Sequence, residues 1–73
     1  MKYTLKDLNQ MIAEVDRELA MRREVYPRRV KAGRMAQATA DAYEERLQRV
    51  RDLLAEVRQR IGAGEPHQSL LDF

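Results

Sequence analysis

Arg22-Arg23-Glu24-Val25-Tyr26-Pro27-Arg28-Arg29-Val30-Lys31-Ala32-Gly33-Arg34-Met35 is the stretch whose reading decides the fold. One apolar stripe runs into it and another runs out. Residues 22 to 34 hold a proline, a glycine and six cations against one glutamate. Proline inside a helical pattern removes a backbone donor and crowds the preceding turn, at a cost of about 3 kcal/mol. Glycine closes helices because left-handed backbone costs it nothing. Together they mark the bend of a hairpin. Either the first helix stops near Val25 and a short turn of helix restarts at Pro27, or one helix kinks at Pro27 and continues to Ala32. Tyr26 and Val30 extend the first stripe, which favours the kinked continuation.

Working outward, Leu5, Leu8, Ile12, Val15, Leu19 and Tyr26 recur at steps of three and four, with one gap. Positions 5, 12, 19 and 26 form one seven-residue row. Positions 8, 15, 22 and 29 form the other, which ends in two arginines. Thr4 and Asp7 fit a capping box in which Asp replaces the usual Glu or Gln. Downstream, Ala36, Tyr43, Val50 and Val57 form one row, and Ala40, Leu47, Leu54 and Ile61 the other. Small residues near the bend suit close helix approach there. Gly62, Gly64 and Pro66 are expected to end the second helix.

A stripe repeating every 3.5 residues is a seam for one partner helix. The expected fold is therefore all-α: a two-helix antiparallel, coiled-coil-like hairpin. One domain covers 1–61, with helices at about 5–32 and 37–61, and a flexible tail follows over 62–73. Met11, Met21 and Leu53 flank the seams, so a four-helix assembly of two hairpins is an alternative, with the chain serving as a structural dimerisation module.

Seventy-three residues make one small domain. A core of this size rarely contributes more than about 3–5 kcal/mol. With no cysteine and one histidine, neither a disulfide nor a Cys/His metal site is expected to add to it. No long apolar run points to a membrane partner or a signal segment, and an intracellular, cytoplasmic location is expected. The net charge of +2 hides a split. Residues 1–36 carry nine Lys/Arg against five Asp/Glu, and residues 37–73 carry five against seven. The basic half, centred on the bend, favours acidic partners: nucleic acid or an acidic protein surface.

No catalytic constellation stands out. His67 lies beside Pro66 with no nucleophile near it, and Glu44-Glu45 sits on a polar helix face. An enzyme is not expected, and no cofactor is implied. The candidate partner-binding residues are the cations of the bend, Arg22, Arg23, Arg28, Arg29, Lys31 and Arg34, together with Lys2, Tyr3 and Lys6 at the N-terminus. Five of the six bend cations are arginine, which suits planar, hydrogen-bonded recognition of phosphate or carboxylate. RNA and DNA phosphates are candidate ligands for them. The plainer reading of these cations is a solvated bend that keeps the chain in solution. Gln68, Leu71 and Phe73 form Q-x-x-L-x-F, which resembles the peptide by which bacterial replication and repair proteins bind the sliding clamp. A clamp-binding inhibitor or adaptor is the alternative reading that this peptide supports.

The stretch from Glu18 to Met35 resembles a pattern common in small phage and prophage proteins, R-x-V-Y-P-x-x-V-x-x-G-[RK]-[ML], followed there by Ser or Thr and a second helix. Here Ala36 stands in place of that hydroxyl. The length and the opening Met1-Lys2-Tyr3-Thr4-Leu5 are similar to those of lytic-phage regulators within this group. That resemblance implies a transcription regulator in the host bacterial cytoplasm. It would bind the β′ and β subunits of RNA polymerase near the RNA exit path, inhibit promoter initiation and promote anti-termination. Hindering σ-factor engagement is the expected mode of inhibition. The resemblance assigns no contact residues.

Overall fold

A computed structural model describes residues 3–62 of the chain. Helix α1 spans Leu5–Lys31 and helix α2 spans Gln37–Gly62. They pack against each other as an antiparallel hairpin, each about 40 Å long at 1.5 Å per residue. Among the described residues there is no strand and no helix long and apolar enough to cross a membrane. Lys2 and the proposed tail over 63–73, including Gln68, Leu71 and Phe73, lie outside the described residues.

The ends of α1 follow from local chemistry. The Asp7 backbone N–H donates to Thr4 Oγ1 at 3.1 Å, and the Thr4 N–H donates to Asp7 Oδ2 at 3.0 Å. This is the reciprocal capping box expected from the sequence. Receiving a backbone donor and lying close to the Thr4 hydroxyl holds the Asp7 carboxyl below the usual carboxylate range, with Lys6 adding a smaller effect. At the other end the Gly33 N–H donates to the Val30 carbonyl at 3.0 Å and the Arg34 N–H to the Arg29 carbonyl at 2.8 Å. Gly33 has φ 74°. That pair of bonds across a left-handed glycine is a Schellman cap.

Pro27 lies inside α1 without ending it. Its missing N–H leaves the Arg23 carbonyl without its usual helical partner. The helix continues because Tyr26 is buried beside it and Val30 is half-buried one turn on. The bend is five residues, from Ala32 to Ala36, and α2 starts without a side-chain hydroxyl cap. Its first turn is closed by the Ala40 N–H donating to the Ala36 carbonyl at 3.1 Å.

The buried apolar residues are Leu8, Ile12, Leu19 and Tyr26 from α1, with Ala40 and Val57 from α2. Both rows of α1 contribute, as expected. The α2 seam differs from the expectation. Leu47, Leu54 and Ile61 are half-buried, but Tyr43 and Val50 remain 42% and 44% exposed, and Ala36 is exposed too. One partner helix covers only a limited arc: on α2 it fully covers Ala40 from one row and Val57 from the other, and leaves Tyr43 and Val50 of the second row at its margin.

Three polar contacts join the helices on one flank. Arg58 donates to Asn9 Oδ1 at 3.1 Å, Arg51 to Asp16 Oδ1 at 3.1 Å, and Arg23 to Gln48 Oε1 at 2.9 Å. Residues 9, 16 and 23 are themselves a seven-residue row. These contacts latch one edge of the hairpin. The opposite edge carries Met11, Met21, Tyr43, Val50 and Leu53, all more than a third exposed.

Candidate functional site

The sequence directs attention to the cationic residues at the bend, and the structure sorts them into four environments. Arg22 and Arg23 point to opposite flanks of α1. Arg23 is held by the Gln48 side-chain carbonyl on the latched edge, and Gln48 in turn donates to Asp52 at 3.0 Å. Arg22 is half-buried on the open edge. Its Nε lies 3.0 Å from Glu18 Oε1, and its NH1 donates to the Tyr43 carbonyl at 3.4 Å. Its guanidinium carbon stands 5.9 Å from the centre of the Tyr26 ring.

Arg28 forms a surface pair with Glu24 at 3.3 Å. Such exposed pairs are worth little, about 0–1 kcal/mol. The remaining three cations, Arg29, Lys31 and Arg34, are exposed and make no side-chain bond among the described residues. The Schellman cap places them at the tip of the hairpin. The tip thus carries uncompensated positive charge on backbone whose geometry is set by hydrogen bonds. Lys6 is exposed at the far end of α1, about 25 residues and hence roughly 37 Å away along the helix, so it does not join this cluster. Tyr3 is half-buried beside Asp7 and Gln10, also at the open end.

Next to the tip is a cluster the sequence reading did not assemble. Tyr26 and Tyr43 lie with ring centres 6.3 Å apart at 57°, and the Arg46 guanidinium carbon is 6.0 Å from the Tyr43 ring centre. Arg22, Tyr26, Tyr43 and Arg46, with Leu47 and Val50, line a groove of about 410 Å³. Tilted rings at this separation are attractive, and cations over aromatic faces add roughly 0.5–1 kcal/mol each at exposed sites. Arg46 and Tyr43 are three apart on one helix face, so their contact could be read from spacing. The approach of Tyr43 to Tyr26 and Arg22 could not, because it depends on how the two helices are rotated.

The arrangement offers surface charge, stacking faces and hydrogen-bond donors. Among the described residues no group of His, Cys, Asp and Glu is placed to hold a metal ion. The Gln68, Leu71 and Phe73 peptide lies outside the described residues. No protein-family model, curated protein or solved structure matches the chain.

Proposed function

We propose that the chain is a non-enzymatic regulator that docks on bacterial RNA polymerase and presents its basic tip to an acidic surface or to nucleic-acid phosphates near the RNA exit path. Inhibition of promoter initiation and anti-termination would follow from a small helical wedge occupying space that σ-factor contacts and emerging RNA require. The polymerase itself, through its β′ and β subunits, is proposed from the likeness of residues 18–35 and of the opening residues to small phage regulators. The observation that supports a charge-driven contact is the exposure of Arg29, Lys31 and Arg34 without side-chain partners at the hairpin tip.

Free cations at a fixed tip give an interaction that falls steeply with salt, since exposed charges are screened within about 8 Å at physiological ionic strength. Phosphate contacts add counterion release, which steepens the dependence. The experiment is promoter-dependent transcription at low and high salt with the Lys31→Glu/Arg34→Glu variant beside the parent. The variant is expected to remain helical and to lose inhibition by about tenfold, equivalent to roughly 1.4 kcal/mol. Equal inhibition by parent and folded variant at both salts would exclude the tip. Failure of the parent to inhibit or to bind polymerase at all would exclude the proposed function.

A further inference from the structure

The edge opposite the polar latch is the surface that the fold leaves uncovered. Three adjoining grooves run along it. The first is lined by Asp7, Met11 and Glu14, the second by Glu18, Met21, Val25 and Arg29, and the third by Tyr43, Arg46 and Val50. Apolar side chains occupy its length, with Met21 51%, Val50 44% and Leu53 45% exposed. Its unpaired charges are segregated. Glu14 is ion-paired with Arg17 and Glu18 with Arg22, which leaves Asp7 toward the open end and Arg29 and Arg46 toward the bend without an ion pair among the described residues.

We propose that this edge is a self-docking surface, on which two copies of the chain pack edge to edge about a two-fold axis perpendicular to the hairpin. An isologous contact must be self-complementary. A surface acidic at one end and basic at the other meets that requirement when the two copies run in opposite directions. The acidic half of each copy then faces the basic half of the other, and the apolar middle of one covers the apolar middle of its mate. Arg29, which makes no side-chain bond within the hairpin, would meet the acidic end of the second copy. A parallel arrangement would instead set acid on acid and base on base.

The size of the edge agrees. From residue 7 to residue 29 it runs about 33 Å, and two helices side by side are roughly 20 Å wide. Each copy would bury about 650 Å² at most, for a total near 1,300 Å², within the range of specific but modest interfaces. The product is a four-helix assembly whose two basic tips point in opposite directions. Docking of the second copy leaves Lys31 and Arg34 at the tips, so this inference stands or falls separately from the polymerase reading.

Sedimentation equilibrium of the full chain, from about 5 to 500 μM, tests it. The chain mass is 8.6 kDa. The expected result is a rise with concentration toward twice that mass. Val50→Asp and, separately, Met21→Asp are expected to hold the mass at the monomer value while far-UV circular dichroism remains helical. Met21 is 51% and Val50 44% exposed, so each variant is expected to keep the hairpin fold. Truncation after Gly62 is expected to leave the dimer intact. A parent that stays monomeric throughout overturns the proposal. So does a dimer unaffected by both folded variants, or one abolished only by the truncation, which would place the contact in residues 63–73. The natural chain has no cysteine, so a spin label at Ala36→Cys reports the direction. Opposed copies place the two labels about 40 Å apart, by the helical rise. A separation under about 20 Å would overturn the two-fold sense proposed.

Discussion

Leu19→Ala probes the seam at its middle. Leu19 is 3% exposed, so the substitution removes a buried side chain from between the two helices. Buried Leu→Ala changes cost about 2–5 kcal/mol, the spread reflecting how far the site can collapse. A two-helix seam has solvent on both edges and can relax, which places the expected loss near the lower end, at about 2.5 kcal/mol. For a domain of this size each kcal/mol shifts the melting midpoint by roughly 4–8 °C. The midpoint should therefore fall by about 10–20 °C, much of the stability that so small a core supplies. Leu5→Ala is the matched control. Leu5 is 42% exposed at the start of α1, away from the open edge, and its loss leaves no closed cavity. About 1 kcal/mol is expected there, from partial loss of apolar burial. Both variants should be melted by circular dichroism at one protein concentration, because self-association would make the midpoint concentration-dependent. Leu5 and Leu19 share one seven-residue row, so equal shifts for the two variants would refute the placement of Leu19 in the closed middle of the seam and of Leu5 at its open margin.

Two further outcomes follow from the caps of α1. Gly33→Ala should destabilise the hairpin by about 1–2 kcal/mol, since φ 74° strains any residue with a Cβ. No atom lies within 4 Å of that Cβ, so the loss would be conformational rather than steric, and Gly33→Asn should cost less. An unchanged urea midpoint for Gly33→Ala would show that the turn rearranges freely. The Asp7 carboxyl titrates lower in the folded chain than in the unfolded one. Its contribution is therefore fully present above the ordinary carboxylate value of about 3.9 and is lost as pH falls through the depressed folded value. Amide protection in the first turn of α1, taken relative to the intrinsic exchange rate at each pH, should fall over that acid range in the parent, and an Asp7→Asn variant should lack this part of the pH dependence.

What the sequence determined by itself was local. Thr4 with Asp7 specifies where α1 begins, and Gly33 specifies where it turns, because each cap is completed within six residues of chain. The repeat of apolar residues specifies two helices and an antiparallel seam, since a five-residue bend allows little else. At Pro27 the sequence left a break near Val25 and a continued helix both open, with Tyr26 and Val30 favouring continuation, and the fold carries α1 through it. The sequence also marked the cations of the bend, but not which would remain unpaired. Tyr43 and Val50 repeat as regularly as Leu47 and Leu54 do, so periodicity alone treats the two rows as equal. Only the tertiary structure decided which members are covered, burying Ala40 of one row and Val57 of the other while Tyr43 and Val50 remain exposed. On one flank Asn9, Asp16 and Arg23 meet Arg58, Arg51 and Gln48, partners 25 to 49 residues apart. No local spacing encodes those meetings. They latch one edge, while on the other Arg22, Tyr26, Tyr43 and Arg46 meet in one cluster.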